Sequence, residues 1–166
     1  MATARIPLNP EDASVLAALL RERVIALGVL VDGAPHVGLL PFAVGKDAAA
    51  LLVHASGLAR HTRGLGKGAP FSALVHASDA PGADPLQIPR VTLQGEVEPL
   101  EAGTPEHEDA RARYLVRFPE SAQTFELPDF GLYALRIGEG RLVVGFARAR
   151  NVSIGDLLAV SRARPA

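Results

Sequence analysis

The sequence predicts an α+β fold dominated by antiparallel strands, or a small β-barrel carrying helices, and three features predict it. About six β-like runs follow one another in hairpin-like pairs, Asp32-Gly33 stands between two of them, and segments of helical period lie at the start, between strands and at the end. A doubly wound parallel sheet needs strand and helix to alternate regularly, and this order does not alternate.

The first element is a helix over roughly 10 to 23: Pro10, Glu11 and Asp12 suit a first turn, and Leu16, Leu19 and Leu20 make an apolar stripe. Two β-like runs follow, near 24–31 and 35–44, and the Asp-Gly between them predicts an antiparallel hairpin. A third strand, AALLVHA, leads through Ser56 and Gly57 into a short helix carrying Arg60, His61 and Arg63, and a fourth, PFSALVHAS, comes after it. The pentapeptide LVHAS thus occurs at 52–56 and again at 74–78, but the flanks differ and two copies do not make a repeat fold.

Residues 79 to 89 are proline-rich with little apolar pattern and read as a loop, a lid or a partner contact. RVTLQGEVEPL alternates as a strand with one wet face does, and Gly95 inside it predicts a bulge or a close approach. Thr104 and Pro105 open a helix, PESAQTFELPD forms a further helical turn or two, and two strands, FGLYALRI and RLVVGFA, are expected to be joined by a turn at Gly138-Glu139-Gly140. The domain expectation is a single unit over 1–166, with an N-terminal helical segment (1–23), a strand region with inserted helices (24–147) and a C-terminal helix and tail (148–166).

Composition bounds the function. Lys plus Arg (17) nearly cancels Asp plus Glu (18), which leaves no bulk charge to attract nucleic acid. With no cysteine, thiolate chemistry and disulfides are excluded. The start of the chain has no apolar signal region, and its longest apolar run, VIALGVLV, is too short to span a bilayer, so the chain reads as cytoplasmic with no membrane partner.

The five histidines (36, 54, 61, 76 and 107) lack the i, i+4 spacing of a zinc helix; only a pairing of the strands bearing His54 and His76 would bring two together. No nucleophile elbow, P-loop or dinucleotide fingerprint occurs. One stretch, LVHASGLARHTRGL, puts a helix start beside Arg60 and His61, as an anion site would; the alternative is an ordinary N-cap at Ser56 with solvated arginines.

The ordered segments DGAPHVGLLPFA, LLVHASGLARHTRGL, DPLQIPRVTLQGEVEPL, ARYLVRFPES, LPDFGLYALRI and RLVVGFARA resemble the flavin-binding split-barrel proteins related to pyridoxamine 5′-phosphate oxidase, and are most similar to their heme-utilisation branch. The resemblance covers about residues 14 to 152. It implies a six-stranded antiparallel split barrel with peripheral helices, a homodimer, and flavin mononucleotide (FMN) in clefts between the subunits. It further implies that Arg60 and His61 hold the phosphate with hydroxyls from Ser56 and Thr62. Leu39, Leu40, Phe42 and Ala43 would run along the isoalloxazine, with His54 ending the third strand nearby and Arg90 facing the ring.

Three departures from the family pattern matter. Two basic second-strand residues of the oxidase are replaced by Gly38 and Ala43, His61 stands where the oxidase has lysine, and the C-terminal Arg and His that grip the pyridoxal substrate have no counterpart. The function implied is therefore an FMN-dependent oxidoreductase of another small-molecule substrate. Alternatives are a heme-binding protein, although no histidine follows His107, and a non-catalytic dimeric binding protein that has lost the cofactor.

Overall fold

A computed structural model describes residues 7–46 and 48–163; the parts of the expected terminal segments at 1–6 and 164–166 lie outside the described residues. Helix α1 (Pro10–Leu19) starts on Asn9, whose side chain accepts the Asp12 N–H at 2.8 Å. It ends four residues earlier than the spacing suggests, because the chain must turn into strand β1 (Val24–Val31). The Arg117 guanidinium holds that turn by donating to the Arg21 and Glu22 carbonyls.

Strand β1 pairs antiparallel with β2 (Ala34–Pro41), from Val24 opposite Pro41 to Val31 opposite Ala34. Asp32 and Gly33 both have positive φ (53° and 77°), the two-residue geometry that an Asp-Gly hairpin favours. There follow β3 (Ala43–Val44), β4 (Ala50–Ser56), β5 (Pro70–His76), β6 (Arg90–Leu100), helix α2 (Pro105–Arg117), β7 (Phe130–Gly145), β8 (Arg148–Val152) and α3 (Ile154–Arg162). The fold is α+β, with the strands in one antiparallel sheet of order β2-β1-β5-β6-β7-β4-β3 and β8 paired to β7. Among the described residues no helix is long and apolar enough to cross a membrane.

The sheet has eight strands, against seven runs read as strand and a six-stranded barrel implied by the resemblance. The additions are the two-residue β3 and β8, which occupies a stretch read as helix and tail before α3. In the other direction, the two strands expected on either side of Gly138–Gly140 are one continuous β7. Those glycines make no turn, and Gly140 serves the β6–β7 ladder: a Cβ on it would lie 2.8 Å from the Leu93 side chain, and across the ladder one on Gly95 would fall on the Arg136 carbonyl. The register slips between Gln94 and Gly95, the bulge that the glycine inside an alternating strand predicts.

Alternation sends one face of every long strand inward. Ile25, Leu27 and Leu40 at one end of the sheet and Leu51 and Val53 at the other meet Val75, Leu93 and Leu135 in one core, which Leu16, Leu19, Leu157 and Val160 of α1 and α3 complete. Because both ends of the strand order reach the same core, the sheet must curl. On the outer face of β4 and β7 a second cluster forms, where Leu52, Leu132 and Ala134 lie under Ala110 and Tyr114 of α2 and Phe118 just past its end.

Candidate functional site

The basic stretch after β4 is a five-residue 3₁₀ turn (Arg60–Gly64) where an α-helix was expected. Its cap is Ala59, with no side-chain bond, so Ser56 is not an N-cap. A turn this short develops no useful macrodipole, and the helix-start argument for an anion is removed. Gly64 explains why the turn sits where it does: a Cβ there would approach the Leu30 carbonyl oxygen to 2.7 Å, so only glycine lets it lie against β1.

The two hydroxyls expected to serve a phosphate are engaged elsewhere. Ser56 Oγ donates to the Asp129 carboxylate at 2.7 Å and accepts the Leu58 N–H at 3.1 Å, while Thr62 Oγ1 donates to the Ser56 carbonyl at 2.6 Å. Of the cations, Arg63 donates to both Asp32 oxygens at 2.8 Å and ties the turn to the hairpin. Arg60 is exposed, and His61 is half-buried with its imidazole against Gly38, where a Cβ would meet Nδ1 at 2.8 Å. Burial, and secondarily the neighbouring His36, hold His61 below the usual imidazole range, so its charge is disfavoured at neutral pH. One fixed charge at Arg60 and a proton-dependent one at His61 are what the turn offers an anion.

The other expected residues divide by face. Leu40 and Phe42 point into the core and Ala43 joins the outer cluster, whereas Leu39 is 72% exposed on the open face of β2. Arg90 is half-buried and donates to the Ile88 carbonyl at 3.0 Å, which anchors the 79–89 loop. That loop contains a 3₁₀ turn (Pro85–Gln87), and Gln87 Oε1 accepts the Phe146 N–H at 2.9 Å from the β7–β8 corner.

His54 is enclosed by side chains. Its ring stacks on Phe125 at 3.8 Å with 5° between planes, and Tyr114 and Phe130 close two more sides at 5.9 and 5.0 Å. Thr124 Oγ1 already donates to the Ser121 carbonyl, so at 3.3 Å it accepts from His54 Nδ1–H, which fixes a neutral tautomer. Burial and the neighbouring His107 push the His54 pKa down to about 4. The strands of His54 and His76 are not neighbours, since β4 pairs with β3 and β7 while β5 pairs with β1 and β6; among the described residues no cluster of three metal-ligating side chains occurs.

Sequence reasoning missed an open apolar surface. On the outer face of β1 and β2, Val24 stands beside Pro41, Ala26 beside Leu39, Gly28 beside Val37 and Leu30 beside Pro35, with Leu74 of β5 next to Ala26. Val37 and Leu39 are 66% and 72% exposed, and a cleft of about 310 Å³ opens over Gly28, Pro35, Val37 and Ser72. His76 lies on the same outer side, opposite Arg90 and exposed, with Nδ1–H donating to the Ala77 carbonyl at 2.8 Å and Nε2 left open. The signal was available: no polar side chain occurs at the even positions 24 to 30, so the strand does not alternate as one with a wet face does.

No protein-family model and no curated protein matches the chain. Solved structures do. A heme binding protein from Mycobacterium smegmatis matches at 26% identity and a TM-score of 0.77, over 92% of this chain and 62% of that one. A protein of unknown function from Agrobacterium tumefaciens matches at 28% identity and a TM-score of 0.71, over 95% of this chain and 64% of that one. A more distant FAD and heme binding protein from Mycobacterium smegmatis, at 23% identity and a TM-score of 0.57 over 88% of this chain and 77% of that one, shares the fold. The chain therefore spans less than two thirds of the length of the first two. Its structural neighbours include heme-binding and FAD-binding proteins, and the chain is similar to the flavin-binding split-barrel proteins related to pyridoxamine 5′-phosphate oxidase, heme-utilisation branch included.

Proposed function

We propose that the protein is a homodimeric split-barrel protein that binds FMN and serves as a flavin-dependent oxidoreductase of a small-molecule substrate. The observation that carries this is the bare apolar face of β2, β1 and β5. Exposed contiguous apolar surface marks an interface or a ligand bed, and this one is floored by the small residues Ala26, Gly28 and Ser72. A second copy seated on it would leave clefts at its margins, where Leu39 at the end of β2, the exposed Arg60 with the half-buried His61, and the half-buried Arg90 would meet a flavin. When bound, the flavin supplies hydride transfer. The chain's own part is to orient it, with Arg60 as the fixed phosphate partner.

The test is a fluorescence titration of the purified protein with FMN and with riboflavin. FMN should bind near stoichiometrically, Arg60→Ala should weaken it about tenfold or more, as loss of a charge-assisted bond does, and riboflavin should be indifferent to that change. Flat titrations with both ligands sink the flavin assignment. Sedimentation should give a dimer that Leu39→Glu converts to monomer.

A second reading, heme binding, is favoured by the match to the Mycobacterium heme binding protein and by His76 Nε2, which faces outward at the margin of the same apolar face. A Soret band on hemin addition that vanishes in His76→Ala, with FMN inert, selects heme.

A further inference from the structure

The outer face of the sheet carries a cleft that the flavin and heme readings leave unused. One lateral row crosses four strands there: Val37 of β2 pairs with Gly28 of β1, Gly28 with Ser72 of β5, and Ser72 with Gln94 of β6. Phe71 and Ala73 on either side of Ser72 point into the core, so Ser72 and its lateral partners face out. The cleft of about 310 Å³ opens over this row and is walled by Leu30, Val37 and Pro70. Arg90 and His76 stand at the far end of the β5–β6 pairing.

Gly28 gives the cleft its floor. Its pairing is regular on both sides and its φ is not positive, so neither a bulge nor a turn calls for glycine, and a glycine inside a strand otherwise weakens it. A Cβ there would meet only Ser72, at 3.3 Å from its carbonyl oxygen; without one, the floor is bare backbone that a flat molecule can approach closely. The polar groups beside it are few and uncommitted. Among the described residues neither the Ser72 hydroxyl nor the Gln94 amide has a hydrogen-bond partner, and they sit on adjacent strands about 4.8 Å apart. An amide side chain presents a donor and an acceptor side by side. The charged residues paired with Pro70 and Gln94 are Glu96 and Glu139, both exposed and both acidic, which turns anions away.

We propose that this cleft binds a neutral planar heterocycle carrying a cyclic amide. The ring lies on the Gly28 backbone between Val37 and Ser72, its adjacent N–H and C=O pair with the Gln94 amide, and the Ser72 hydroxyl adds a third hydrogen bond. The apolar walls keep water from these bonds, so an analogue that cannot donate leaves the Gln94 oxygen unpaired. The isoalloxazine of a flavin has such an edge too, and the test separates the two ligands.

The experiment is an NMR titration of the full chain with 2-quinolone and with 1-methyl-2-quinolone, whose N–H is blocked. 2-Quinolone should shift Gly28, Ser72 and the Gln94 side-chain amide, and the methylated compound should bind about tenfold more weakly, the loss of one hydrogen bond from a site that keeps its apolar contacts. Gln94→Leu, at an exposed position where folding is not at stake, should bring the two compounds to the same affinity and leave FMN binding unchanged. Equal binding of the two compounds to the unaltered protein, or shifts that bypass Gly28, overturn the proposal. So does binding seen only in the monomeric Leu39→Glu variant, because a second copy then fills the cleft. If Gln94→Leu weakens FMN as well, the isoalloxazine itself occupies the cleft and a separate site is overturned. Selective 2-quinolone binding in a protein that ignores FMN upholds the site and removes only the flavin reading.

Discussion

The same five residues, LVHAS, end β4 and run off the end of β5, and the sheet treats them in opposite ways. In both, the valine points into the shared core, Val53 in one and Val75 in the other, and leucine and histidine face out. Over β4 the outer face is roofed by α2 and the turn Pro119–Glu126, so Leu52 is buried and His54 is 8% exposed between aromatic rings. Over β5 nothing among the described residues lies on top, Leu74 is half-buried and His76 is exposed. Identical local sequence thus acquires a structural role at one end of the sheet and an available one at the other. What decides is the neighbouring element, and the bare end is where chemistry has room.

The largest contrast is expected from truncating a side chain at each end. Tyr114 is 2% exposed in the roof, and Tyr114→Ala should cost about 3–5 kcal/mol in urea unfolding, as large aromatic deletions from packed sites do. Its phenol is pushed up to about 12 by burial, so the roof should hold through neutral and mildly alkaline pH. Leu39→Ala, at 72% exposure, should change monomer stability by less than about 0.5 kcal/mol and weaken self-association instead. Equal losses in urea would mean that the two ends are not different in kind.

The next effect is in pH. The His54 pKa is lowered to about 4 from an ordinary 6.5, so the unfolded chain binds the proton more readily than the folded one. Stability from this group is complete above about pH 6.5 and is lost as pH falls towards 4, by about 2–3 kcal/mol at most. His54→Phe, which keeps the stack on Phe125, should flatten the pH dependence of thermal unfolding in that window. His76→Phe should leave the slope as it is.

How far the sequence foretold this follows from the same contrast. Features set by local chemistry were legible: the Asp32-Gly33 hairpin, the Thr104 cap before Pro105, and the Gly95 bulge. Features set by what packs against a segment were not. Gly138 and Gly140 read as a turn because glycines often are, but β7 runs straight through them and the smallness of Gly140 serves the close β6–β7 contact, which is visible only once Leu93 is opposite it. Arg60, His61 and Thr62 read as one cationic, hydroxyl-bearing cluster because they are adjacent. The fold then separates them, turning His61 inward onto Gly38, committing Thr62 to the Ser56 carbonyl and tying nearby Arg63 to Asp32. His54 and His76 stand in the same pentapeptide, and no local signal tells which one will be roofed.

The smallest expected effect on stability falls on His76 itself. Its Nδ1–H bond to the Ala77 carbonyl joins adjacent residues at an exposed strand end, where water replaces it at little cost, so His76→Ala should alter unfolding by less than about 0.5 kcal/mol. That bond nevertheless sets which nitrogen is free. A carbonyl can only accept, so Nδ1 carries the hydrogen and Nε2 presents its lone pair outward, the arrangement in which a histidine meets a metal with its other nitrogen already oriented. A variant of unchanged stability that loses a hemin difference spectrum would therefore locate function at the bare end of the sheet. One that loses stability as well would show that β5 carries a roof after all, supplied by a second copy of the chain.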